Sequence, residues 1–125
     1  MRKVFVYYEL NYGELAKECD NLSDLRVFSN KEKAKRYVTE MLKIYAGMGS
    51  DDPSYEGCNR FVVDKHELKN VDIILEDGEK LSDNQIHTFV ENAFTDDFVG
   101  ILLYADYSDN WKEYFSICVD VIKVE

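Results

Sequence analysis

A chain of 125 residues, 46% hydrophobic and 14% aromatic, is long enough to bury a core as one domain over residues 1–125 and too apolar to stay disordered. Its formal net charge of −10 disfavours direct contact with nucleic acid, because such binding depends on neutralising phosphates. No apolar run approaches the ~20 residues of a membrane span, and no signal-peptide pattern is present. Three widely spaced cysteines, Cys19, Cys58 and Cys118, read as reduced thiols of a cytoplasmic protein.

Residues 2–9, RKVFVYYE, predict a strand. Val4, Val6 and Tyr8 alternate with Lys3, Phe5, Tyr7 and Glu9, and apolar groups on both faces predict a central position in the sheet. A polar connection follows over residues 11–24, with one helical turn around Glu14 to Cys19, and then a second strand at 25–28. That strand runs into SNKEKAKRYVTEMLKIYAG, residues 29–47, the clearest helix in the chain. Ala34, Tyr37, Val38, Met41, Leu42 and Tyr45 repeat at helical spacing on one face. Ser29 is the expected N-cap with Glu32 as its capping-box partner, and Gly47 is placed to close the helix.

A loop dense in Gly, Ser, Asp and Pro leads to a third strand at 58–65 and a short one at 71–75. Ser82 and Gln85 form a second capping box, with Leu81 and Ile86 as a hydrophobic staple. The helix it opens runs from about Asp83 to Phe94 and carries Ile86, Phe89, Val90, Ala93 and Phe94 on one face. Two long strands, 98–107 and 112–124, close the chain as a hairpin whose connecting loop holds Ser108 to Trp111. The expected fold is α+β: a mainly antiparallel sheet with two helices packed on it, in the order ββαβ(β)αββ.

Little here points to catalysis. A Cys–His pair such as Cys58 with His66 could supply a nucleophile and base, but nothing at recognisable spacing supplies an orienting group or an oxyanion site, so a small buried thiol and a surface histidine are expected. There is no HxxxH, CxxC or DxDxDG pattern, so no metal is expected, and no phosphate-cradling loop, so no cofactor. The charge is more informative. Residues 1–69 balance 12 basic against 12 acidic side chains, whereas residues 70–125 hold Lys80, Lys112 and Lys123 against 13 acidic ones. Such a half favours a basic protein partner, although acidity also serves solubility alone.

The residues expected to meet that partner are Asp96, Asp97, Asp106, Tyr107, Asp109, Trp111 and Glu113. Tyr and Trp near a turn commonly anchor interfaces, and the carboxylates around them suit Lys and Arg. Trp111 either serves as such an anchor or folds back onto the sheet.

The strand KVFVYYE followed by RVFSNKEKAKRYV, with Phe28, Ser29, Glu32, Lys33 and Ala34 at the strand-to-helix junction, resembles small acidic ββαβ proteins of phages and mobile elements. The resemblance covers residues 2–68 at most. It implies an inhibitor of the anti-CRISPR kind, acting as a nucleic-acid mimic in the basic channel of a defence nuclease. The expected function is therefore non-enzymatic protein binding. The alternative is a small accessory or regulatory domain that forms a homodimer through an exposed strand edge such as 112–124.

Overall fold

Strict alternation sorts the side chains of β1 (Arg2–Asn11) onto two faces: Phe5, Tyr7 and Glu9 are buried, while Val4, Val6 and Tyr8 are half-buried on the other side. The computed structural model describes residues 2–11, 22–47, 58, 60–63, 72–75, 81–95, 97–108 and 111–124. For residues 11, 22–24, 72, 105–108 and 111–115 it describes the backbone alone. The helical turn expected around Glu14 to Cys19 and the turn at Asp77-Gly78 lie outside the described residues.

After β1 come β2 (Leu22–Phe28), α1 (Lys31–Tyr45), β3 (Arg60–Val63), β4 (Asp72–Ile74), α2 (Asp83–Ala93), β5 (Phe98–Ser108) and β6 (Trp111–Val124). The six strands form one sheet in the order β2-β1-β6-β5-β3-β4, with every neighbouring pair antiparallel. The α+β class is therefore as expected. β1 has neighbours on both sides, and β6 runs along its whole length from Arg2 opposite Val124 to Asn11 opposite Phe115. One expectation is overturned here. Residues 112–124 do not form an edge strand, because over residues 115–120 β6 is paired with β1 on one side and with β5 on the other. The described edges are β2 and β4.

Register places Phe5, Tyr7, Phe61, Val63, Val99, Ile101, Leu103, Ile117 and Val119 on one face of the sheet, and both helices cover it. α1 contributes Ala34, Val38 and Leu42, all essentially inaccessible, with Tyr37, Met41 and Tyr45 packed at the margin. α2 contributes Ile86, Phe89, Val90 and Ala93, flanked by Leu81 and Phe94. Each large side chain so buried is worth ~1.5–3 kcal/mol. Lys35 donates to Glu91 at 3.0 Å and Lys43 lies 3.5 Å from Asp83, so the start of α1 meets the end of α2 and the helices run antiparallel.

The second helix starts as read: Ser82 Oγ accepts from the Gln85 amide at 3.1 Å, and Gln85 Oε1 accepts from the Ser82 amide at 3.0 Å. The first does not. Asn30, not Ser29, is the N-cap of α1, its Oδ1 accepting from the Lys33 amide at 2.9 Å. Asn caps as well as Ser does, and moving the cap by one residue puts Lys33 at the third helical position. Glu32 then cannot close a box and instead lies 3.6 Å from Lys35. At the other end Gly47 takes a φ of 83° and donates to the Ile44 carbonyl at 3.0 Å, the left-handed closure that glycine permits.

Candidate functional site

The thiol considered as a nucleophile is in the wrong environment for that task. Cys58 is packed against the core beneath α1, its amide donating to the Tyr45 carbonyl at 2.6 Å, and burial pushes its thiol up to about 12. At pH 8 such a group is thiolate in about one molecule in ten thousand. His66 lies outside the described residues, and His87 is exposed on α2. Cys118 is buried on the other side of the sheet, in register with Tyr8 and Gly100. The expected result of iodoacetamide labelling at pH 8 is that Cys58 reacts at least ~100-fold more slowly in the native protein than in urea, read by peptide mass spectrometry. Native labelling at the unfolded rate would restore the nucleophile reading. Among the described residues no group of three His, Cys, Asp or Glu side chains converges as metal ligands.

Of the acidic and aromatic residues expected to bind a partner, the structure separates Asp97 from Asp106 and Tyr107 along β5. Asp97 is exposed at the head of β5, with its carbonyl accepting from the Val121 amide at 3.0 Å. Asp106 and Tyr107 are on the last part of β5, roughly 30 Å further along the strand. Asp96 and Asp109 lie outside the described residues. Trp111 and Glu113 belong to β6: Trp111 is not in a loop but is the first residue of that strand, paired with Ser108. Their side chains are outside the description. The backbone here has a distinct shape. The last described pairing of β5 with β3 is at Tyr104, and that of β6 with β1 is at Phe115. Among the described residues, 105–108 and 111–114 therefore pair only with each other, as a two-stranded arm.

The face of the sheet turned away from the helices was not foreseen as a surface of interest. Large hydrophobic side chains exposed among the described residues are Leu25, Val27, Ile44, Ile74, Phe98, Ile122 and Val124. All but Ile44 lie on this helix-free face, because register pairs each with a residue pointing away from the helices: Val27 with Val6, Ile74 with Arg60, Phe98 with Asp120, Ile122 with Val4 and Val124 with Arg2. Leu25, two residues before Val27, shares its side, and the two are 60% and 63% exposed. Two charged groups on this face, Asp120 and Arg60, are engaged by neighbouring rings. The Tyr8 hydroxyl donates to Asp120 at 3.2 Å, and burial, with Cys118 and Asp120 alongside, holds the Tyr8 phenol above its ordinary range. The Arg60 guanidinium lies over the Tyr104 ring, 5.4 Å from its centre. A soluble domain normally covers so broad an apolar set, and larger exposed patches mark interaction sites.

A second feature escaped the sequence reading. Glu9, only 4% exposed, sits on the helix side of β1 among core residues. The Tyr7 hydroxyl donates to it at 2.5 Å and the Tyr45 hydroxyl at 2.8 and 2.9 Å. Buried carboxylates persist only when hydrogen-bonded, and these two phenols tie the last turn of α1 to the middle of β1. The signal available was phase: Glu9 alternates in step with Phe5 and Tyr7.

No family model, curated protein or solved structure matches the chain. No helix among the described residues is long and apolar enough to cross a membrane. The helix-free face, with the two-stranded arm at one end, is the strongest candidate surface on the described residues.

Proposed function

We propose that the protein is a non-enzymatic binding domain that docks on a basic protein surface through the helix-free face of its sheet. The observation that carries this reading is the placement of Leu25, Val27, Ile74, Phe98, Ile122 and Val124 on that one face. Charge selects the partner. The acidic excess falls wholly in residues 70–125, which supply β5, β6 and the arm carrying Asp106, Trp111 and Glu113. Apolar contact then provides affinity, while the carboxylates steer the encounter and reject acidic surfaces. The likeness of residues 2–68 to phage and mobile-element proteins nominates CRISPR and other defence nucleases in the cytoplasm as the first partners to assay.

The test is capture on the immobilised protein at low salt from a bacterial lysate, followed by a salt gradient. The expected result is retention of a basic, nucleic-acid-binding protein that leaves at moderate salt, where exposed charges are screened within ~5 Å. Capture should also fall when Asp106, Asp109 or Trp111 is replaced by Ala. Binding insensitive to salt would remove the electrostatic part of the reading.

A further inference from the structure

A second recognition site, of opposite charge, lies at the β2 edge. There Phe28, Lys33, Arg36, Tyr37 and Glu40 line an open groove of about 320 Å³ between α1 and the strand. Its floor is aromatic: the Phe28 and Tyr37 rings are 5.3 Å apart, and Tyr37 is fixed from below by the edge of Tyr7 at 4.8 Å. Arg26 reaches in from β2, its Nε donating to the Tyr37 hydroxyl at 3.3 Å. Lys33 and Arg36 stand three residues apart on the rim. Lys35, between them, is taken up by Glu91 and Glu32, whereas no ion pair or side-chain hydrogen bond engages Lys33 or Arg36 among the described residues. Both are exposed, so they can reach a carboxylate of an incoming segment while their stems flank the aromatic floor.

Among the described strands, the one beside the groove has a neighbour on one side only. β2 is the first strand in the sheet order, and Leu25, Arg26 and Val27 are exposed. A segment added there would lie ~4.8 Å from β2. Its inward side chains would sit next to Phe28 and Arg26, over the groove, and its outward ones next to Leu25 and Val27.

We propose that the β2 edge binds an extended peptide by strand addition, with acidic side chains of the peptide facing Lys33 and Arg36 and an apolar one resting on Phe28 and Tyr37. Glu40 at the far end of the groove repels a continuous acidic run, so the segment carries one or two carboxylates among apolar residues. A second copy of this chain does not fit. Symmetric pairing of β2 with β2 would bring Arg26, Lys33 and Arg36 of each copy against the same cations of the other. A nucleic acid strand is opposed by the net charge of −10.

The site borders the helix-free face at Leu25 and Val27, but its aromatic and basic groups, Phe28, Tyr37, Lys33 and Arg36, line the groove beside α1, so its test is separate. The probe is a fluorescein-labelled peptide, Thr-Glu-Val-Phe-Val-Glu-Thr, titrated into the full chain at low salt and followed by anisotropy. Changing both Glu to Lys should weaken binding at least about tenfold, as should the Lys33→Glu/Arg36→Glu variant. Two forms N-methylated at alternate amides, one in each phase, should differ sharply, because only one set of amides faces β2. Equal binding of acidic and Lys peptides, equal binding of both N-methylated forms, or no binding of the parent peptide would each overturn the proposal. So would an oligothymidylate that binds in its place and is lost in the same variant. The peptide series on the unaltered chain needs no variant to fold. The Phe98→Ser/Ile122→Glu variant, which breaks the helix-free face, should bind the peptide as the native protein does.

Discussion

Tyr7→Ala is expected to lower stability by about 3–5 kcal/mol, the cost of deleting an aromatic ring from a packed core. Tyr7 is completely buried under α1, with its ring edge against Tyr37 and its hydroxyl on Glu9. The substitution therefore removes the ring that supports Tyr37 and one of the donors to a buried carboxylate. Urea unfolding should show a lower midpoint with an unchanged slope, and the melting temperature should fall by more than about 10 °C. Tyr7→Phe separates the two contributions. It keeps the ring and removes only the donor, so about 1–3 kcal/mol should be lost. A cost below about 1.5 kcal/mol for Tyr7→Ala would mean that β1 and α1 are not packed as described.

The second large effect concerns binding. Phe98→Ser combined with Ile122→Glu should weaken capture of a basic partner at least about thirtyfold, since aromatic anchors in an interface commonly contribute 2 kcal/mol or more. The choice of Glu matters. A negative charge cannot repel a basic surface, so lost binding reports lost apolar contact. Phe98 and Ile122 are 45% and 46% exposed on strands held from both sides, so the change in folding stability should stay near 1 kcal/mol. Binding within threefold of the native protein would move the interface off this face.

Both helices were legible because three signals coincided: an apolar stripe of helical period, a capping residue and a closing signal. Where two good caps stood side by side, Ser29 and Asn30, the spacing could not choose between them. The choice fell to the geometry in which Asn30 reaches the Lys33 amide. The β5–β6 pairing follows from its short connection, and the antiparallel β1–β2 and β3–β4 pairings from strands that follow one another with no helix between them. The insertion of β6 between β1 and β5 does not, because nothing local records which distant strand will lie alongside. This is why residues 112–124 read as an edge. Glu9 was obscured by its type, since a Glu is assumed to face water unless partners are known, and Tyr45 lies 36 residues away. The apolar helix-free face was hidden for a related reason. Val4 and Val6 looked like the second side of a central strand, a side that would be covered, and Ile122 and Val124 stood outside the alternation that was read in residues 112–124.

The place of β6 also governs how the chain can fold. β2 and β1 make one block, and β4, β3 and β5 another, and the described sheet joins them only through β6. Its pairing with β1 sets Arg2 opposite Val124, so the longest loop in the topology must close before the sheet becomes continuous. Such non-local registry slows folding, toward milliseconds to seconds, and leaves two sheet fragments with open edges in the interval. On the ribosome, the first block has to wait for the last strand.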